Sequence, residues 1–162
     1  MKEDIIYTER LSSRWTTALF VALTLVFLGL SVWRLSAGSA GLLAAVFLIL
    51  FLVFLFYSLN YRTLVISLTR RTLTLKFGLF TWPVPLENVA GCSRDELPLV
   101  AKYGGAGIHF MMIRKRYRVS FNFLEHPRVV VALNQKAGLV RDVSFSTRQP
   151  EELIRLIGAL IV

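Results

Sequence analysis

Trp15-Thr-Thr-Ala-Leu-Phe-Val-Ala-Leu-Thr-Leu-Val-Phe-Leu-Gly-Leu-Ser-Val-Trp33 and Gly41-Leu-Leu-Ala-Ala-Val-Phe-Leu-Ile-Leu-Phe-Leu-Val-Phe-Leu-Phe-Tyr-Ser-Leu59 contain no charged residue. Each run is 19 residues long. At about 1.5 Å rise per residue, each makes about 28 Å of helix, close to the thickness of a bilayer's hydrocarbon core. Only Arg34 to Ala40 separates them. The spacing predicts a transmembrane hairpin over 15–59, an N-terminal segment over 1–14 and a domain over 60–162.

The first run holds ten Leu, Ile, Phe or Val and the second fourteen. At about −0.3 to −0.6 kcal/mol each, these residues alone favour insertion of both helices. Trp15, Trp33 and Tyr57 stand at the ends, where amphipathic rings prefer the interface. Ala18, Ala22 and Gly29 on the first helix, with Gly41 and Ala45 on the second, are the expected helix–helix contact. No ionisable group lies within either span, which argues against a transporter, a channel or a proton path. Lys2, Arg10 and Arg14 precede the hairpin and Arg62, Arg70, Arg71 and Lys76 follow it, against Arg34 alone in the connection. That bias predicts a multi-pass protein of the cell membrane with both termini cytoplasmic. Glu3, Asp4 and Glu9, and the lack of an A-x-A site just after Trp33, count against a cleaved signal peptide.

The chain has 162 residues, 55% of them hydrophobic, and a net charge of +9. Residues 62–162 hold 15 basic and 7 acidic residues, so the excess sits beside the membrane. Such a balance points to anionic lipid headgroups before nucleic acid, and no nucleic-acid-binding motif is present. About a hundred residues suffice for one small domain. The single Cys92 excludes an intrachain disulfide and a cysteine-rich metal site.

After Asn60 the pattern becomes period two. Leu73, Leu75 and Phe77 alternate with Thr72, Thr74 and Lys76, following a β-branched run over Thr63 to Leu68. Phe80 to Leu86 contains Pro83 and Pro85 and belongs at an edge. Val89 to Ser93 is a short strand, and Arg94 to Gly107 a loop with Pro98 and several glycines. Ile108 to Ile113, the stretch with Val119, Phe121 and Phe123 facing inward, Arg128 to Leu133, and Arg141 to Ser146 complete the strands. Asn134 to Gly138 is the expected hairpin loop. Asp142, Ser144 and Ser146 are expected to face outward. Pro150, Glu151 and Glu152 open a final helix. Its Leu153, Leu156, Ile157 and Leu160 form an apolar stripe, expected to dock on strand residues such as Leu75, Phe121 and Phe145.

The order of these parts resembles the membrane-anchored bacterial and archaeal proteins with a pleckstrin-homology-like (PH-like) domain. Three pieces carry the resemblance: Tyr7-Thr-Glu-Arg-Leu-Ser-Ser-Arg-Trp15; Leu73-Thr-Leu-Lys-Phe-Gly-Leu-Phe80 with Pro85-Leu-Glu-Asn-Val89; and Phe145-Ser-Thr-Arg-Gln-Pro-Glu-Glu-Leu153. It implies a membrane α-helical hairpin plus an α+β domain, a PH-like antiparallel β-barrel of about seven strands capped by a C-terminal helix. It also implies a non-enzymatic membrane-bound module, and a fold alone does not fix a function.

The candidate contacts for anionic lipid or a partner are Arg70 and Arg71 in one turn and Arg114, Lys115, Arg116 and Arg118 in another. Near an anionic surface each such cation is worth about 1 kcal/mol, while a solvated hairpin turn has the same composition. Gly104-Gly105-Ala106-Gly107 lacks the Gly-Lys-Ser/Thr of a phosphate loop and leads into a strand. His109 and His126 are far apart without a ligand pattern. No catalytic, cofactor-binding or metal residues emerge. The expected function is a membrane-anchored interaction or scaffold module with a protein partner or as a homo-oligomer. A peripheral sensor of anionic headgroups and an unrecognised hydrolase are the alternatives.

Overall fold

The computed structural model describes residues 4–38, 41–98 and 105–161. Parts of the Arg34–Ala40 connection, of the Arg94–Gly107 loop and of the glycine cluster at 104–107 therefore lie outside the described residues.

Two helices form where the apolar runs predict them. The first, α1, spans Arg14–Ser36 and the second, α2, Leu42–Asn60; both are long and apolar enough to cross a membrane. Ser13 caps α1, its hydroxyl accepting from the Thr16 N–H at 3.0 Å and so satisfying a donor the first turn cannot. The small residues do not make the contact between the helices. Ala18, Ala22, Gly29, Gly41 and Ala45 are all exposed. Phe20, Thr24 and Ser31 are buried instead, with Ala44 and Ser58 on α2, and Phe27 stacks on Phe54 at 5.4 Å. Thr24 and Ser31 each donate to a carbonyl one turn back in their own helix, so these hydroxyls lie inside an apolar contact without an unmet bond.

The strands are β1 Ile5–Ser12, β2 Thr63–Thr69, β3 Thr72–Phe77, β4 Phe80–Pro85, β5 Val89–Arg94, β6 Gly107–Ile113, β7 Arg116–Asn122, β8 Arg128–Ala137 and β9 Val140–Ser146. A last helix, α3, covers Pro150–Leu160. Instead of about seven strands in an antiparallel barrel, nine described strands form two sheets that do not close. Their orders are β1-β2-β3-β4 and β5-β8-β9-β7-β6. Within the second, β7 runs parallel to β9. β8 runs on to Ala137, through residues expected to be loop, with its register to β9 shifting between Ala132 and Ala137.

β1 lies in the segment before the hairpin and pairs antiparallel with β2, Leu11 opposite Leu64 and Ser12 opposite Thr63. The two helices therefore stand where a β1–β2 turn would be. Residues 5–12, set apart in the sequence as a terminal segment, are the outer strand of the four-stranded sheet.

The core lies between the sheets. Leu64, Ile66, Leu68, Leu73, Leu75 and Phe77 face Val119, Phe121, Phe123, Val129, Val131, Val143 and Phe145, and all are buried. An aromatic column joins this core to the helices. Phe20 meets Tyr57 at 5.5 Å, Tyr57 meets Tyr61 at 5.0 Å, Tyr61 meets Phe77 at 4.9 Å and Phe77 meets Phe123 at 5.1 Å. Helix α3 packs chiefly on β5 and also on β8. Its Leu153 and Ile157 are fully buried in the same core cluster as Leu75, Phe121 and Phe145; Leu156 and Leu160 are half-buried at its margin.

Candidate functional site

Strand direction sorts the candidate residues by height above the helices. β2 leaves α2 at Thr63 and ends at Thr69, so the Arg70–Arg71 turn lies one strand away, about 20 Å at 3.3 Å per residue. β6 begins at Gly107 beside Tyr61, where an added Cβ would be 3.4 Å from the Tyr61 ring. It ends at Ile113, so the Arg114–Lys115 turn also lies at the far end. The near end is marked by its own contacts. The Leu79 N–H donates to Asn60 Oδ1 at 3.3 Å, the Leu124 N–H to Thr16 Oγ1 at 3.4 Å, and His126 bonds the Ser12 carbonyl at 3.2 Å.

Arg70 and Arg71 are exposed. Thr69 shapes their turn, its hydroxyl accepting from the Arg71 and Thr72 N–H groups. Beside them lies a recess of about 660 Å³ bounded by Glu87, Asn134 and the end of α3 at Leu160 and Ile161. Arg114 and Lys115 take φ of 49° and 64°. Two successive left-handed residues make the tight turn whose twist suits a two-residue hairpin, and they leave both side chains exposed.

Arg116 and Arg118 are placed differently. Period two puts them on one face of β7, where Arg118 is buried and Arg116 is half-buried. Arg116 meets Asp142 at 2.7 Å. Arg118, with 10% of its side chain accessible, lies 3.4 Å from Asp95 and 3.3 Å from Asp142. Asp95 Oδ2 also accepts from the Ser144 hydroxyl at 2.7 Å and lies 3.9 Å from Arg128 Nε. Asp142, Ser144 and Ser146, expected outward, are thus buried, as are Ser120 and Asn122. Asp95, the first residue after β5, is brought to this outer face. Among the described residues neither polar atom of the Asn122 side chain has a hydrogen-bond partner. The local sequence contains one signal for this layer: Arg116-x-Arg118 and Asp142 fall on the same face of neighbouring strands.

A cleft of about 390 Å³ on this face is lined by Cys92, Arg114, Arg116, Arg118 and Asp142 among others. Burial pushes the Cys92 thiol up to about 12, so at neutral pH it is protonated and a poor nucleophile. Cys92 is on β5 and His109 on β6, the opposite edges of the five-stranded sheet. His109 bonds the Ala106 carbonyl at 2.9 Å. Among the described residues no group of three or more His, Cys, Asp or Glu is placed to hold a metal ion.

The thiol gives a pH prediction. Below its ordinary value of 9.0 folded and unfolded chains both keep the proton. Above that value the unfolded chain ionises first, so the stability linked to Cys92 is lost as pH rises towards about 12. The denaturation midpoint of the native chain falls more steeply over this range than that of Cys92→Ala. Equal slopes would show that burial does not hold this thiol neutral.

No protein-family model matches the chain, and comparisons with curated proteins and with solved structures return no match.

Proposed function

We propose that this chain is a non-enzymatic, membrane-anchored interaction or scaffold module with a PH-like domain. The helical hairpin sits in the cell membrane, both termini are cytoplasmic, and the far end of the domain meets a protein partner or another copy. The carrying observation is the position of the four exposed cations Arg70, Arg71, Arg114 and Lys115 at the end remote from the helices. The pairing of β1 with β2 supports the topology, because the chain must enter and leave the hairpin on one side. The PH-like reading draws on the strand plan. The β1-β2-β3-β4 meander is followed by β5-β8-β9 and one amphipathic helix, a seven-strand series. The helical hairpin interrupts it after the first strand, and the β6–β7 hairpin after the fifth.

A sensor of anionic headgroups would use the same four cations, but would need them to reach back about 20 Å to the bilayer that holds the helices, further than a side chain extends. A photo-crosslinker at Lys115 of the full chain in native membranes is expected to yield protein adducts of fixed mass. These should disappear when Arg70, Arg71 and Arg114 are changed to Glu. Capture of anionic vesicles by the nanodisc-held chain, with adducts to lipid only, would overturn this reading in favour of the lipid sensor.

A further inference from the structure

The two sheets stay open between their edges β4 and β6, and the gap is apolar. Tyr61, Phe80, Trp82, Ile108, Phe110 and Phe121 line a crevice of about 250 Å³, with Thr81 the one polar side chain that is not aromatic among the described residues that line it. Trp82 lies 6.5 Å from the Phe110 ring and 6.4 Å from that of Phe121. Its residues occupy the near halves of both strands, next to the helices. Tyr61 directly follows α2, and Gly107, the first residue of β6, packs on its ring.

The mouth of the crevice is continuous with the surface of α2. Phe80 touches Phe56 of α2, ring centroids 6.5 Å apart, and both rings are partly exposed. The β3–β4 turn is held down beside the helix end. Gly78 has φ of +61°, and a side chain there would stand 2.3 Å from the Asn60 carbonyl oxygen. This fixes Leu79, 78% exposed, level with the last turn of α2. An apolar lane therefore runs from Phe56 past Phe80 to Trp82, and none of the described residues that line the crevice is charged.

We propose that this crevice takes the acyl chain of a membrane lipid, drawn from the bilayer along α2 past Phe80. The proposal rests on the membrane reading of the hairpin. At that depth the abundant apolar molecule is lipid, and burying chain methylenes against five aromatic rings and Ile108 removes both surfaces from water. The headgroup stays at the interface beside Asn60 and Leu79, so the site selects for a chain and not for a charge.

Tryptophan quenching tests the proposal and its premise separately. Two single-tryptophan forms of the full chain are reconstituted in phosphatidylcholine brominated on its acyl chains. One keeps Trp82 (Trp15→Phe, Trp33→Phe) and the other keeps Trp15 (Trp33→Phe, Trp82→Phe). Trp15 reports on the hairpin and Trp82 on the crevice. We expect both to be quenched, and Trp82 at least as strongly by bromine near the methyl end of the chain as by bromine near the carboxyl end. Quenching of Trp15 with no effect on Trp82 would overturn the proposal and leave the hairpin reading standing. Stronger quenching of Trp82 by carboxyl-end bromine would also overturn it, because that is the pattern of a domain leaning on the bilayer surface. Loss of quenching in both forms would overturn the membrane reading and the proposal together.

Discussion

Deleting residues 150–162 is expected to abolish cooperative unfolding of the sheet domain while the helical hairpin stays folded. Leu153 and Ile157 are fully buried. Burying such side chains is worth about 1.5–3 kcal/mol each, so the pair supplies about 3–6 kcal/mol. Net stabilities of small domains are about 5–15 kcal/mol, and the deletion removes a large share of that. It also removes the helix that packs chiefly on β5. The entry to α3, which the deletion leaves in place, is stitched to the first strand. Glu9 accepts from the Thr147 hydroxyl at 2.6 Å and from the Arg148 N–H at 2.9 Å, and Tyr7 donates to Gln149 at 3.1 Å. Leu153→Asp or Ile157→Asp should have nearly the effect of the deletion, whereas Leu156→Asp, at a half-buried position, should cost less. Circular dichroism melts in detergent are the measurement. A truncated chain that keeps its strand signal and one sharp transition would show that α3 does not close the core.

The second large effect is expected at Asp95. Its carboxylate touches Arg118, Arg128 and Ser144 and accepts the Leu97 N–H at 3.2 Å. Removing one partner of a buried ion pair costs about 3–5 kcal/mol, because the other charge stays behind in a poor solvent. Asp95→Ala leaves two largely buried guanidinium groups, with Asp142 still beside Arg118. That remaining pair holds the loss towards the lower end. The coupling is measurable. Asp95→Ala, Arg118→Met and the double variant form a cycle in which the double loss is smaller than the sum of the single losses. Additive losses would mean that the two side chains are neighbours without being a pair.

The hairpin was legible because length and lack of charge are local properties. The strands after Asn60 were legible for a similar reason: Leu73, Leu75 and Phe77 advertise one buried face. β1 carries no such alternation. Of Ile5, Ile6, Tyr7 and Leu11 only Leu11 is buried, and the partner strand lies beyond two helices. The polar layer escaped for the opposite reason. Ser120, Asn122, Asp142, Ser144 and Ser146 alternate with apolar residues just as a solvated face does. Asp95, just after β5, reaches Ser144 and Arg118 on this face, a contact no period can announce. The same layer divides the basic cluster at 114–118, whose composition reads as one patch. Arg114 and Lys115 sit in the turn, and Arg116 and Arg118 are neutralised by aspartates.

The helices that replace the β1–β2 turn also impose an order of events on biosynthesis. The first strand leaves the ribosome with no partner and stays an open edge until the sixty-third residue follows. With the hairpin seated in a bilayer, those two strands meet only if the intervening chain has crossed twice. A chain that stops after a single crossing has β1 on one side and all other strands on the other. Its sheet then lacks an outer strand, its last helix lacks the Glu9 latch, and β2 shows a bare hydrogen-bonding edge of the kind that seeds aggregation. With the hairpin in a bilayer, completion of the globular part would therefore depend on both crossings.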